Sequence, residues 1–122
     1  MKAKHARILV VEDDKTLAAM YRNALRFAGF EVDVAENGVT ALWYIDQAPP
    51  HAIVLDLHLP GIRGEVILSE VAARPDLCQI PVIVVTGSDA QLVVDQANAI
   101  LKKPVDVSRL VSVVERHLDP AA

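Results

Sequence analysis

Three acidic residues stand where short apolar runs end: Glu12 and Asp13 directly follow Ile8 to Val11, and Asp56 sits at the end of Ile53 to Leu57. If those runs are neighbouring strands, the carboxylates converge. Like charges brought together repel and raise each other's pKa, so such a cluster persists chiefly because a cation occupies it. No His/Cys set has zinc spacing, so the expected occupant is a hard, oxygen-preferring ion, Mg2+ or Mn2+. Thr86, at the end of Val82 to Val85, and Lys103 would lie on the same rim and offer donors to an anion. A carboxylate nucleophile, a divalent ion, an ammonium and a hydroxyl are the parts that move a phosphoryl group. The cations neutralise equatorial oxygens while Asp56 attacks in line, which leaves an acyl phosphate on Asp56.

The elements that must position these residues are legible as patterns. Ile8 to Val11, Ile53 to Leu57 and Val82 to Val85 are dense in β-branched residues without polar alternation, as strands buried on both faces require. Glu31 to Ala35 alternates polar and apolar, which suits an edge strand, and a weak fifth strand is expected near Ala99 to Leu101. Leu17, Tyr21, Ala24, Leu25 and Ala28 are spaced as one helix face and stop at Gly29. Ala41, Leu42 and Ile45 predict a second helix, stopped by Pro49 and Pro50. Val107, Leu110, Val111, Val114 and Leu118 predict a last one after an Asp106 cap, ended by Asp119 and Pro120. Shorter helices are expected near Glu65 to Ala73 and Ala90 to Asn98.

Strand and helix in alternation imply right-handed crossovers, hence a doubly wound, flavodoxin-like α/β domain. The expected sheet is parallel and five-stranded, in the order 2-1-3-4-5 with helices on both faces. Its ligand crevice then lies at the carboxyl ends of strands 1 and 3. The expected organisation is a short extension at residues 1–6, one domain at 7–118 and a tail at 119–122.

Composition narrows the function classes. At 122 residues the chain can bury one core, and with 52% hydrophobic but 4% aromatic residues that core is aliphatic. A net charge of −4 without a Lys/Arg-rich run gives no footprint for nucleic acid or anionic lipid. Cys78 is the single cysteine, so no intramolecular disulfide exists, and it is read as a structural thiol. No apolar stretch approaches membrane-spanning length or follows a basic leader, and the cytoplasm is the expected compartment.

From about Arg7 to about Leu118 the chain resembles a response-regulator receiver domain of two-component signalling. The likeness rests on separated motifs in order: Ile8-Leu-Val-Val-Glu-Asp-Asp14, Asn37-Gly38, Asp56-Leu-His-Leu-Pro-Gly-Ile-Arg-Gly64, Val84-Val-Thr-Gly87 and Lys102-Lys-Pro104. The resemblance implies Asp56 as phosphoacceptor, Asp13 as direct metal ligand, Glu12 as a second acidic ligand acting through water, and His58 contributing its main-chain carbonyl. It implies Thr86 as the hydroxyl that follows the phosphoryl group and Lys103 as ion-pair partner, preceding a cis peptide to Pro104. The implied partners are a sensor histidine kinase or a histidine phosphotransfer protein, an output partner, and a second copy through the face of the Ala90 to Asn98 helix and the last helix. Such a module is a signalling switch and not an enzyme.

The chain also departs from the family. Ile100 stands where many receivers carry the Tyr or Phe that turns inward on activation, the segment from Thr86 to Lys103 is short, and Ala97-Asn98-Ala99 replaces a Gly-Ala turn. Gly87, lacking Cβ, leaves room for access to the pocket. Several residues have plainer readings: Asp14 as helix N-cap, Lys102 as a solvated neighbour of Lys103, His58 as a solvent-facing side chain, Trp43 and Tyr44 as core or interface. Two other functions compete. One is a phosphate-independent interaction scaffold, suggested by Ile100; the other is a phosphatase with an aspartyl nucleophile, which usually has a second acid where this chain has His58.

Overall fold

The computed structural model describes residues 5–87 and 96–118. In chain order these form β1 (Arg7–Val11), α1 (Lys15–Phe27), β2 (Glu31–Ala35), α2 (Gly38–Gln47), β3 (Ala52–Leu55), α3 (Gly64–Ala73), β4 (Val82–Thr86), β5 (Ala99–Lys102) and α4 (Val107–Leu118). The strands make one sheet in the order β2-β1-β3-β4-β5, with every pair parallel. Both the order and the edge position of β2 are those expected.

Alternation along the central strands sorts the core into two layers. Leu9, Val11, Ile53, Leu55, Val82 and Val84 face Ile45 of α2 and Ile67, Leu68 and Val71 of α3. Ile8, Val10, Val54, Ile83 and Val85 face Tyr21 and Leu25 of α1 and Leu110, Val113 and Val114 of α4. Helices therefore cover both faces, and burying each such side chain contributes about 1.5–3 kcal/mol.

Local signals set the helix ends. The Asp14 carboxylate accepts from the Leu17 amide at 3.0 Å and caps α1, the plain reading of that residue. At the other end Gly29 takes φ +104°, and the Gly29 and Phe30 amides bond the Arg26 and Leu25 carbonyls at 2.9 and 3.1 Å. This paired closure needs a left-handed residue, which glycine adopts without strain. Asn37 caps α2 through the Thr40 amide at 2.8 Å, and Asp106 accepts from the Ser108 amide at 2.9 Å at the start of α4.

Two expectations need correction. β3 pairs only as far as Leu55, opposite Val84, so Asp56 and Leu57 lie just beyond the strand although both are buried. The helix expected near Glu65 to Ala73 is present as α3, 10 residues long. The expected Ala90 to Asn98 helix falls mostly on residues 88–95, outside the described residues, and its end is not helical. Asn98 instead bonds Val82 twice, amide to carbonyl and side-chain oxygen to amide, both at 2.9 Å, and this extends the β4–β5 pairing. The part of the expected dimer face on this segment, and the Asp119-Pro120 stop, also lie outside the described residues, whereas the last helix of that face is α4. Among those described, no helix is long and apolar enough to cross a membrane.

Candidate functional site

The site gathers at the carboxyl ends of the strands. Glu12 and Asp56 each prolong a ladder by one bond, Glu12 N to Ala35 O and Asp56 N to Val11 O, both at 3.0 Å. Lys103 does likewise, its amide bonding the Thr86 carbonyl at 2.9 Å, and its peptide bond to Pro104 is cis. These bonds aim side chains from three non-adjacent segments at one point. Glu12, Asp13 and Asp56 each offer a carboxylate oxygen within 4.8 Å of the others.

Burial divides the trio: Glu12 and Asp56 are almost fully buried, whereas Asp13 is exposed. Lys103 Nζ lies 2.8 Å from Glu12 Oε1 and 3.3 Å from Asp56 Oδ2. The second oxygens have amide donors, Asp14 N at 3.2 Å for Glu12 Oε2 and His58 N at 3.1 Å for Asp56 Oδ1.

Burial pushes the Glu12 carboxyl above its usual range, and the charge of Asp56 adds to that. The Lys103 ammonium and the Asp14 amide oppose it without cancelling it. For Lys103, burial works against the charged form, but Glu12 and Asp56 outweigh it and the ammonium titrates above its ordinary value.

Thr86 is completely buried at the end of β4, and an added Cβ at Gly87 would meet nothing within 4 Å, so the space beside it is open. Ile100 is half-buried opposite Val84 and packs on the α2–α3 side of the core. The His58 side chain is exposed, as its plain reading had it, and Lys102 points to solvent. Tyr44 packs against the core while Trp43 is exposed, the two rings meeting edge-on at 5.2 Å. Cys78 is exposed, its thiol 3.7 Å from the Pro75 carbonyl.

Two glycines escaped attention as functional positions. A Cβ on Gly64 would collide with the Asp56 carbonyl and come within 2.6 Å of Leu57 Cα, and one on Gly38 would meet Ile62 Cβ at 2.6 Å. Bare backbone at 64 thus lets α3 start against the turn at Asp56 and Leu57, and at 38 lets α2 close on the same loop. In the sequence both are visible as members of the Asn37-Gly38 and Asp56 to Gly64 motifs, which do not say what either glycine touches.

The residues present fit a hard cation. The donors are all carboxylate oxygens, and Glu12 Oε1 is buried with an ion-pair contact but no aligned hydrogen bond, which leaves a lone pair unclaimed.

A parallel 2-1-3-4-5 sheet with acids and a lysine at its carboxyl edge defines a class, and the chain belongs to it: the response regulator receiver domain family matches residues 8–115. Among its relatives is protein Rrf1 of Nitratidesulfovibrio vulgaris, 34% identical over 93% of this chain and 83% of that protein. Response regulator MprA of a Mycobacterium species is 36% identical over 69% of this chain, which corresponds to only 36% of MprA. In structure the chain resembles a CheY-like response regulator receiver domain protein from Methanospirillum hungatei, with a TM-score of 0.87, 26% identity and 94% of each chain covered.

Proposed function

We propose that this chain is the phosphoacceptor module of a two-component relay, taking a phosphoryl group on Asp56 from a histidine kinase or histidine phosphotransfer protein. The observation that carries this reading is the buried Glu12 and Asp56 pair bridged by Lys103, with Asp13 completing an oxygen cluster within 4.8 Å. Burying two acids side by side is costly unless cations attend them, so the arrangement is not one that packing alone would retain.

Mg2+ or Mn2+ would be held by Asp13, Asp56, the His58 main-chain carbonyl and, through water, Glu12. When bound it supplies charge neutralisation for the phosphoryl oxygens. An Asp56 carboxylate oxygen attacks phosphorus in line, the P–N bond of the donor phosphohistidine breaks, and the imidazole nitrogen keeps the electron pair and takes up a proton. Lys103 turns towards the new equatorial charge, and the Thr86 hydroxyl follows it. The added charge then biases two conformations, which an output partner or a second copy reads. Residues 7–118 form this module, and it acts as a switch whose only chemistry is its own phosphoryl uptake and loss.

Incubation with a low-molecular-weight acyl phosphate and Mg2+ should add one phosphoryl group to the wild type and none to Asp56→Asn. Equal labelling of both proteins would remove Asp56 as acceptor. Beryllofluoride, a phosphoryl mimic, separates the alternatives: no response with Mg2+ favours a phosphate-independent scaffold, and steady phosphate release from phosphomonoesters favours a phosphatase.

A further inference from the structure

On the phosphoacceptor reading above, we propose that Tyr21 is a positioning residue of the pocket: its hydroxyl takes over Glu12 when Lys103 turns from the carboxylates to the phosphoryl group on Asp56. Tyr21 is 1% exposed, and its hydroxyl oxygen is buried without a hydrogen-bond partner. A buried phenol normally pairs its O–H, so an orphaned one demands a reason.

Its placement supplies the reason. Tyr21 packs in the layer that contains Val10 of β1, Val54 of β3 and Leu101 of β5. Side chains two residues apart share a sheet face, so the next positions on that face are Glu12, Asp56 and Lys103. Their ladder bonds to Ala35, Val11 and Thr86 keep the alternation going past the strand ends. Tyr21 therefore lies in the layer directly beneath the pocket.

Long helical side chains lean back towards the N-terminus of their own helix, which for α1 is the pocket end. One turn up on the buried face stands Ala18, too small to block the ring. The charges that act on the phenol agree: after burial, which pushes its pKa up, they are those of Lys103, Glu12, Asp56 and Asp14, in that order.

Glu12 Oε1 has Lys103 as its cationic contact at 2.8 Å. If Lys103 moves to phosphoryl oxygens, that oxygen is left buried without it, and a neutral O–H held in reserve beneath can donate to it. The hydroxyl then favours the phosphorylated state over the free one, because only there does it find a partner.

The test compares wild type and Tyr21→Phe, which keeps the ring and deletes the hydroxyl, by calorimetric titration with beryllofluoride in Mg2+ and by melting of the free protein. Expected are beryllofluoride binding about tenfold weaker in the variant, Mg2+ affinity alone within about twofold of wild type, and a free protein at least as stable. Equal beryllofluoride binding overturns this inference alone. So does a Mg2+ affinity reduced as much as that for beryllofluoride, or a marked loss of stability in the free variant, since either places the hydroxyl's partner in the free state. No beryllofluoride binding by the wild type overturns the phosphoacceptor reading, and this inference with it.

Discussion

Lys103 Nζ is nearer to Glu12 than to Asp56, 2.8 Å against 3.3 Å, so the lysine serves the buried Glu12 carboxylate at least as much as that of Asp56. Lys103→Met should therefore leave two buried carboxylates uncompensated and cost about 1–3 kcal/mol at neutral pH, below the full buried-pair value because the lysine is partly solvated. The sign with pH follows from the raised lysine pKa: its contribution is complete below 10.5 and disappears as pH rises through the higher folded value. In acid the gap to wild type should narrow as Glu12 takes a proton. Denaturant unfolding across pH checks this, and a variant as stable as wild type at neutral pH would contradict the pairing.

Metal binding should be pH-dependent through Glu12. Its carboxyl titrates above the ordinary 4.5 because it is buried, and the cation needs the ionised form. Mg2+ affinity should accordingly fall as pH drops from about 7 to about 5, with protons released on binding at the lower pH. Calorimetry in two buffers of different ionisation enthalpy measures that release. Affinity that stays flat over the interval removes Glu12 from the ligand set.

Thr86 is wholly buried at the end of β4 and hydrogen-bonds Lys103 through its backbone. Thr86→Ala should leave phosphoryl uptake on Asp56 near wild-type rate but uncouple the response. The amide spectrum of β5 and its surroundings should then shift little on beryllofluoride addition. A full wild-type spectral response from the variant would refute the proposed relay.

Gly64→Ala puts a methyl group into the backbone of the acceptor turn at Asp56 and Leu57. The neighbours are main chain and cannot swing aside, so α3 must shift, at a cost of about 1–3 kcal/mol. Phosphoryl uptake should slow as well, because the turn that aims Asp56 moves. Gly87→Ala is the control, since nothing lies within 4 Å of a Cβ there, and it should melt close to wild type.

Much of the fold was legible because each strand announces its own environment. The unbroken apolar runs at Ile8, Ile53 and Val82 could only be strands covered on both faces, and the alternation at Glu31 to Ala35 could only be an edge. Asn98 was misread for the opposite reason. Its helical expectation came from local pattern, whereas its actual partner is Val82, whose carbonyl and amide hold it in the ladder. The pocket's cast was also readable from residue types at strand ends, and Asp14 was rightly set apart as a cap by its place before a helical run.

By itself the sequence determined the order of the strands, the parallel 2-1-3-4-5 sheet and which side chains could meet at its carboxyl edge, because hydrophobic periodicity and turn chemistry are local properties. Only the tertiary structure decided that Glu12 is buried while adjacent Asp13 is exposed, that Lys103 favours Glu12, and that Tyr21 is buried with an unpaired hydroxyl. Those facts depend on how segments dozens of residues apart come into register. Burial, which sets the charge state of each acid, is a property of that assembled register and of no single stretch of chain.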